Sequence, residues 1–345
     1  MELTNNLNIA QFKPLITPQE LKDELPETDE VAHVVADSRN IIQNILVNKD
    51  KRLMVITGPC SLHDPKAALE YAEKLKQLQD KFGDTILIIM RTYFEKPRTI
   101  LGWKGMIYDP YMNSSYDIEE GFRKARALLL AISKVGLPTA TEFLDPIVPQ
   151  YLADLVSWAA IGARTTESQV HRQMASGLSM PVGFKNSTDG NLTVAIDSIK
   201  TALSPHSFMG IDRNGQVIIA ETHGNKYCHL VMRGGSAGPN YGSEYVAFAK
   251  VLLRKAGVST RIVIDCSHAN SYKDYRRQRE ALLDVAKQIR EENTLVCGVM
   301  LESFLNEGRQ PFDKPENLKY GLSITDGCIG WEETEELINH LASIL

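Results

Sequence analysis

The chain has 345 residues, of which 43% are hydrophobic and 23% charged, with a formal net charge of -5. These values are typical of a soluble globular protein and exclude a general electrostatic attraction to nucleic acid or to acidic membranes. The first residues lack the basic start and apolar stretch of a secretory signal, and no apolar run approaches a membrane span in length. Because the five cysteines form no CxxC pair, we expect reduced thiols and a cytoplasmic location.

Residues 1–50 are predicted to form a helical extension. Thr17-Pro18-Gln19-Glu20 matches a helix start, with a capping threonine, a proline in the first turn and a glutamate three residues after the cap. Over residues 28–48 the apolar side chains recur at helical spacing on one face. That face needs a partner, so we expect it to pack against the rest of the chain or another subunit, in an extension that serves oligomerisation or regulation.

Residues 51–345 repeat one pattern, in which a short apolar run is followed by a polar loop and an amphipathic stretch. Eight apolar runs predict strands at 53–57, 86–90, 138–141, 159–163, 181–184, 229–232, 262–266 and 296–301. The amphipathic stretches predict helices at 65–82, 119–135, 149–158, 167–178, 245–256, 273–290 and 332–345. Apolar strands separated by helices favour parallel βαβ units. Eight units predict a (β/α)8 TIM barrel.

Residues 205–227 interrupt this repeat. Asn214-Gly215 stands between residues of alternating polarity, which is a strong indication of a two-residue hairpin turn. We therefore expect a β-hairpin inserted before the sixth strand.

The apolar runs are followed by residues with reactive or charged side chains. In a barrel of this type the active site lies at the carboxyl ends of the strands. The residues at these positions are Cys60, Arg91, Glu142, Arg164, Lys185, Arg233, His268 and Glu302. One charged residue after a strand is usually only solvated, but eight in register favour a functional site.

Four of the candidate residues have the chemistry of metal ligands. A thiolate, an imidazole and two carboxylates are offered by Cys60, His268, Glu302 and Asp326. Such a mixture suits Mn, Fe, Co or Zn better than Mg or Ca, because hard cations avoid sulfur. The alternative for His268 is a core histidine that is satisfied by a backbone carbonyl.

A second group of candidates is cationic: Arg91, Lys96, Arg98, Lys104, Arg164, Lys185 and Arg233. Bringing so many like charges into one cavity is costly unless anions neutralise them. Arginine grips phosphate or carboxylate in two places, whereas lysine acts as a movable point charge. The sequence therefore predicts multiply anionic ligands, such as two phosphates and one carboxylate.

Short motifs along most of the chain are similar to those of one enzyme family. They are Gly58-Pro59-Cys60-Ser61, Lys96-Pro97-Arg98-Thr99, Gly102-Trp103-Lys104-Gly105, Ile161-Gly162-Ala163-Arg164-Thr165-Thr166-Glu167-Ser168, Gly183-Phe184-Lys185-Asn186, Arg233-Gly234-Gly235, Asp265-Cys266-Ser267-His268-Ala269-Asn270 and Ser323-Ile324-Thr325-Asp326. The chain resembles the type I, microbial class of 3-deoxy-D-arabino-heptulosonate 7-phosphate (DAHP) synthases. It departs from many of them at Ser236-Ala237-Gly238-Pro239-Asn240, because those enzymes carry a lysine directly after the glycines.

The resemblance implies a transferase that condenses phosphoenolpyruvate with D-erythrose 4-phosphate in the first step of the shikimate pathway. It implies a divalent cation held by Cys60, His268, Glu302 and Asp326. Phosphoenolpyruvate is expected at Arg91, Lys104, Arg164, Lys185 and Arg233, with Ala163 in the same substrate site. Erythrose 4-phosphate is expected at Lys96, Arg98 and Thr99, and catalytic roles are expected for Lys96, Glu142 and His268.

The resemblance also implies a feedback site for an aromatic amino acid. The matching residues are Pro149, Gln150, Ser179, Phe208 and Gly210. Gly210, with Met180 and residues 211–217, is more similar to the tyrosine-sensitive isoenzymes than to the phenylalanine-sensitive ones, which carry serine at this place. A glycine leaves room for the hydroxyl of tyrosine. The alternative is that Gly210 only serves the backbone of the hairpin.

Three other functions compete with this interpretation. The first is a 3-deoxy-manno-octulosonate 8-phosphate synthase, against which Lys96-Pro97-Arg98-Thr99 favours the four-carbon sugar. The second is a Schiff-base aldolase with Lys185 as nucleophile, which would be indifferent to chelators. The third is a regulatory paralogue without catalysis, which we expect to lack some of the strand-end residues. We expect the protein to form a homodimer or a homotetramer.

Overall fold

The chain folds as a closed parallel barrel with helices around it. A computed structural model describes residues 4–291 and 295–345, so the first three residues of the expected N-terminal extension lie outside the described residues. Within those ranges eight strands form the barrel in the order β1-β2-β3-β4-β5-β8-β9-β10. Their bounds are β1 Leu53–Gly58, β2 Ile86–Arg91, β3 Thr139–Glu142, β4 Trp158–Ile161, β5 Val182–Lys185, β8 Cys228–Met232, β9 Ile262–Asp265 and β10 Val296–Glu302. The expected barrel is confirmed.

The helices connect successive strands on the outside of the barrel. They are α3 Pro65–Phe82, α4 Ile118–Lys134, α5 Val148–Leu152, α6 Gln169–Gly177, α7 Leu192–Ala202, α8 Ser243–Ala256, α9 Gln278–Arg290 and α10 Trp331–Ile344. Every residue of the eight barrel strands is buried, as expected for a parallel sheet that is covered on both faces. No helix in the described ranges is long and apolar enough to cross a membrane.

Two helices, α1 Pro18–Glu24 and α2 Asp29–Leu46, precede the barrel. Helix α1 starts with the expected capping box at Thr17 and Glu20. Helix α2 places Ile42, fully buried, among the side chains that fill the barrel interior. The guanidinium of Arg39 donates to the carbonyl of Val156, just before β4, at 2.7 Å. Helix α2 therefore covers the amino end of the barrel, and burial of one such isoleucine stabilises the fold by about 1.5–3 kcal/mol.

The inserted hairpin has a different turn from the one the sequence indicates. Strands β6 Ser207–Ile211 and β7 Val217–Glu221 pair antiparallel, with Ile211 opposite Val217. Five residues therefore connect the strands, and the prediction of a two-residue Asn-Gly turn is wrong. The reason is the Asp212 carboxylate, which accepts the backbone N–H groups of Asn214 and Gln216, both at 2.9 Å, and so stabilises a wider loop.

Two helix predictions also need correction, and one helix was missed. Helix α5 ends at Leu152, not at 158, because Trp158 is already in β4, where its indole N–H donates to His229 at 3.1 Å. Helix α9 begins at Gln278, not at 273, because Tyr272 and Lys273 have φ values of +52° and +61°, which no α-helix accommodates. Helix α7, which was not predicted, is capped by Asn191.

Candidate active site

A cavity of about 700 Å³ opens at the carboxyl ends of the barrel strands. Its wall contains most of the candidate residues that follow the apolar runs, which confirms that the strand ends converge. The predicted residues in the wall are Lys96, Arg98, Thr99, Glu142, Ala163, Arg164, Lys185, Arg233, His268, Glu302 and Asp326.

Three residues that were predicted to bind the metal or the substrates lie outside the wall. Cys60 and Arg91 are fully buried directly behind it. Lys104 is exposed, and its ammonium group lies 6.0 Å from the ring centre of Tyr108. Cys60 and Arg91 thus adjoin the cavity from behind its wall, whereas Lys104 is separate from it.

The proposed metal ligands partly converge. Donor atoms of Cys60, Glu302 and Asp326 all lie within 4.8 Å of one another. The Cys60 thiol donates to the Asp326 carboxylate at 3.7 Å. Because sulfur and carboxylate oxygen together suit borderline divalent cations, this group of residues fits a metal ion of the Mn, Fe, Co or Zn type.

His268 lies beside this group in an orientation that suits a ligand. Its Nδ1 is 2.9 Å from the Asp265 carboxylate and 2.7 Å from the Ser267 hydroxyl. Its Nε2 faces Glu302, at 3.8 Å. Histidines that bind metals commonly engage a carboxylate through the second ring nitrogen in this way. The partners of His268 are therefore not those of a core histidine satisfied by a backbone carbonyl.

Buried ion pairs surround these ligands. The Arg91 guanidinium contacts the Glu302 carboxylate at 3.2 Å, and the Lys185 ammonium contacts Asp265 at 2.9 Å. Burial opposes the charge of Asp265, yet His268 and Lys185 hold the pKa of Asp265 well below its ordinary value. Asp265 thus contacts both Lys185, which lines the cavity, and His268, which is a proposed metal ligand.

The Cys60 thiol is protonated in these surroundings. Burial and the Glu302 carboxylate together raise the pKa of Cys60 to about 11, although the Lys96 ammonium opposes them. Lys96 donates to both the carbonyl oxygen and the sulfur of Cys60, at 3.0 and 3.1 Å. Because thiolates, not thiols, bind cations, binding at Cys60 has to release a proton.

Arg233 is the cation with the clearest need for an anion. It is 8% exposed, and burial lowers the pKa of Arg233. Its guanidinium donates to the Gly234 carbonyl at 3.3 Å, and no carboxylate of a described residue forms an ion pair with it. Arg164, another cation of the cavity wall, lies near enough to repel it. A ligand with a phosphate or carboxylate group removes this repulsion.

Glu142 occupies a specific place at the end of β3. It is 7% exposed and lines the cavity. A Cβ at position 162 would lie 2.2 Å from a Glu142 carboxylate oxygen, so a side chain there would displace that carboxylate. No hydrogen bond or ion pair joins this carboxylate to another side chain in the described ranges, so it is available to a ligand or to water.

The sequence did not indicate every residue of the site. Lys273 and Arg309 also line the cavity, but both lie in irregular segments that no apolar run marks. Asp265 could have been found, because it is an acid at the end of a buried apolar run, within a motif already noted.

A second cavity, of about 440 Å³, lies between the hairpin and helices α5 and α6. Its wall contains all five residues that were expected to bind an aromatic effector: Pro149, Gln150, Ser179, Phe208 and Gly210. Gly210 has no left-handed backbone conformation, and a Cβ there would meet its nearest atoms at 3.9 Å. The described hairpin therefore does not require glycine at position 210 for its own backbone.

Comparisons with known proteins agree with this site. The profile of the "DAHP synthetase I family" matches residues 27–339. Over 99% of its length the chain is 51% identical to "Phospho-2-dehydro-3-deoxyheptonate aldolase, Trp-sensitive" of Escherichia coli (strain K12), of which the match covers 98%. It is 50% identical to the "Tyr-sensitive" enzyme of the same strain, over 98% of this chain and 95% of that protein.

A solved structure is similar throughout. The structure of phospho-2-dehydro-3-deoxyheptonate aldolase from Francisella tularensis SCHU S4 superposes with a TM-score of 0.95, at 48% identity, over 98% of both chains. A full-length match in sequence and in fold leaves no alternative family. The chain belongs to the DAHP synthetase I family.

Proposed function

We propose that the protein is a DAHP synthase, which joins phosphoenolpyruvate to D-erythrose 4-phosphate and releases inorganic phosphate. The product is 3-deoxy-D-arabino-heptulosonate 7-phosphate, at the first step of the shikimate pathway. The observation that carries this proposal is Arg233, a buried guanidinium that forms no ion pair with a carboxylate of the described residues and lies near a second cation, Arg164. Both substrates are phosphate esters, and one also carries a carboxylate.

The cationic residues divide between the two substrates. Arg164, Lys185 and Arg233 hold phosphoenolpyruvate, with Ala163 beside it and Arg91 acting from behind through Glu302. Arg98 and Thr99 hold the phosphate of erythrose 4-phosphate, near Lys96. Lys104 lies outside the cavity wall, so its assignment to phosphoenolpyruvate requires the loop after β2 to move inward.

The metal ligands are Cys60, His268, Glu302 and Asp326, of which three already bring donor atoms within 4.8 Å of one another. A divalent cation held there supplies Lewis acidity toward the aldehyde of erythrose 4-phosphate. His268 is oriented for this role by Asp265.

The remaining chemistry falls to two side chains. Carbon 3 of phosphoenolpyruvate attacks the aldehyde carbon, and the Lys96 ammonium gives a proton to the oxygen that becomes an alcohol. Water adds at carbon 2, and Glu142 orients it and takes its proton. The resulting hemiketal phosphate breaks its C–O bond and releases phosphate. Lys185 is assigned to substrate binding and not to Schiff-base formation, and its ammonium group contacts Asp265 at 2.9 Å.

The first prediction concerns activity and the cation. Purified protein should release phosphate only when phosphoenolpyruvate and erythrose 4-phosphate are both present, because the attack on the aldehyde precedes C–O cleavage. EDTA should abolish phosphate release, and Mn, Fe, Co or Zn salts should restore it. The rate restored by each salt ranks the metals. A colorimetric phosphate assay measures this. Undiminished release in EDTA, or trapping of a Lys185 adduct by borohydride, would exclude the metal-dependent reaction.

The second prediction concerns Glu142. Glu142→Gln keeps the size of the side chain but cannot take a proton, so kcat should fall by about 10²–10⁴-fold. Metal content, measured by plasma emission spectrometry, should stay at the wild-type value. Glu336→Gln, which alters a surface pair with Arg279, is the matched control and should keep wild-type kcat. Full turnover of Glu142→Gln with unchanged metal content would remove Glu142 from the reaction.

An aromatic amino acid is proposed as feedback inhibitor, bound in the cavity between the hairpin and helices α5 and α6. Tyrosine is favoured because Gly210 leaves space where a serine side chain would stand. Similarity to the tryptophan-sensitive and tyrosine-sensitive relatives is nearly equal, at 51% and 50%, so overall identity does not choose the effector.

The third prediction tests that choice. Wild-type protein should be inhibited by tyrosine at lower concentration than by phenylalanine. Gly210→Ser fits the hairpin without a clash, so it should keep uninhibited activity while weakening tyrosine inhibition about 10-fold or more, equivalent to about 1.4 kcal/mol. Inhibition curves for both amino acids measure this. Wild-type inhibition by phenylalanine and not by tyrosine would overturn the assignment.

The fourth prediction concerns assembly. We propose a cytoplasmic homodimer or homotetramer in which the N-terminal extension and the hairpin contribute contacts. The supporting observation is the exposed apolar face of the hairpin, where Met209, Val217 and Ile219 are 84%, 80% and 74% exposed. Sedimentation velocity should show a dimer or larger, and Ile219→Glu should shift it toward smaller species. A wild-type monomer at micromolar concentration would contradict the proposal.

A further inference from the structure

Glu95 is a buried carboxylate next to Lys96 that the proposed reaction does not use. It is 2% exposed. Its two carboxylate oxygens accept the backbone N–H groups of Leu144 and Asp145, at 3.1 and 3.0 Å. The loop after β2 is thereby joined to the loop after β3.

Leu144 and Asp145, whose N–H groups Glu95 accepts, lie in the chain between a residue of one cavity wall and a residue of the other. Glu142, two residues before Leu144, lines the active-site cavity. Pro146, the residue after Asp145, lines the effector cavity, as do Pro149 and Gln150 of helix α5. The segment 144–146 therefore joins the wall of the effector cavity to the two N–H groups that Glu95 accepts.

Leu144 is also held by helix α6. The Leu144 carbonyl oxygen is 2.7 Å from Nε2 of His171, on helix α6. Met174, Ser176 and Gly177 of that helix line the effector cavity. Leu144 is thus fixed at its N–H by the active-site loop and at its carbonyl by a helix of the effector cavity.

Tyr108 completes the connection. Its hydroxyl lies 3.3 Å from both the Glu95 and the Asp145 carboxylates. Because a phenol has one proton to donate, only one carboxylate receives it at a time, and a small movement of Asp145 changes which one does. Asp145 in turn accepts the N–H of Ile147 at 3.0 Å, at the start of helix α5.

On the active-site side, Glu95 is followed directly in the chain by Lys96. The backbone N–H of Lys96 donates to the Lys104 carbonyl at 2.9 Å, and its ammonium group reaches the Cys60 sulfur at 3.1 Å. A shift of Glu95 toward or away from Leu144 therefore moves the Lys96 ammonium relative to Cys60 and to the segment 97–99 that follows.

We propose that Glu95 is a positioning residue that couples the effector cavity to Lys96, so that an amino acid bound beside Pro146 alters the binding of the phosphosugar. The inference rests on the proposed function, because it takes the second cavity as the effector site and Lys96 as a residue of the sugar phosphate site. Two sites coupled in this way affect each other's affinity by the same factor.

The fifth prediction measures that factor in Glu95→Gln. Both Glu95 oxygens accept backbone N–H groups, so either orientation of the glutamine amide places a donor against a donor and breaks one of the two bonds. The ratio of the tyrosine Kd with erythrose 4-phosphate to the tyrosine Kd without it should be about 5 or more in wild-type protein. In Glu95→Gln this ratio should approach 1, while tyrosine alone binds within about 2-fold of wild type, because no atom of Glu95 lines the effector cavity. Isothermal titration calorimetry with and without the sugar phosphate gives both numbers.

Two further variants separate positioning from general destabilisation. Tyr108→Phe removes only the shared hydroxyl and should lower the ratio partly, so it tests the connection even if Glu95→Gln folds poorly. Asp109→Asn is the matched control, because Asp109 is another buried carboxylate that accepts two backbone N–H groups, those of Asn113 and Ser114, which line neither cavity. It should keep the wild-type ratio.

The outcomes distinguish the inference from the function on which it rests. If Glu95→Gln and Tyr108→Phe both keep the wild-type ratio, the coupling role is wrong and the proposed function is untouched. If wild-type protein binds neither tyrosine nor phenylalanine, the effector assignment and the coupling role both fall. A ratio that falls equally in Asp109→Asn would also overturn the coupling role, because the effect would then be unspecific.

Discussion

The balance of buried charge at the carboxyl ends of the strands constrains the rest of the structure. Arg91 with Glu302 and Lys185 with Asp265 are pairs from neighbouring parts of the barrel, and both are almost completely buried. Leaving one member of such a pair without its partner costs about 3–5 kcal/mol. The strands must therefore hold their register to keep both pairs intact. Arg233 has no such partner among the described residues, and an anionic ligand in the cavity that it lines would neutralise its charge.

The same carboxylates serve two purposes at once. Glu302 contacts the Arg91 guanidinium and also belongs to the cluster of proposed metal ligands. Asp265 contacts both Lys185 and His268. Cation binding and anion binding consequently share two carboxylates and are not independent. This sharing explains why the site needs buried charges, which are otherwise a poor way to stabilise a protein.

The sequence predicted the barrel and the functional residues at the strand ends because both follow from one repeat. Once the apolar runs are aligned, the residue after each run points to the same end of the barrel. Two features that depend on a single side chain were missed: the Asp212 carboxylate widened the hairpin turn, and Asn191 capped a helix that was not predicted. The bonds from Glu95 to Leu144 and Asp145 join residues 49 and 50 positions apart, which no local pattern reveals.

The central claim is that one cation is held by a cysteine thiolate together with carboxylates at the ends of the barrel strands. Its most direct test is the absorption spectrum of the metal-free protein after addition of one equivalent of Co²⁺. Coordination by Cys60 predicts a thiolate-to-cobalt charge-transfer band in the near ultraviolet that disappears in Cys60→Ser. A cobalt complex without this band, or a band that persists in Cys60→Ser, would contradict the account.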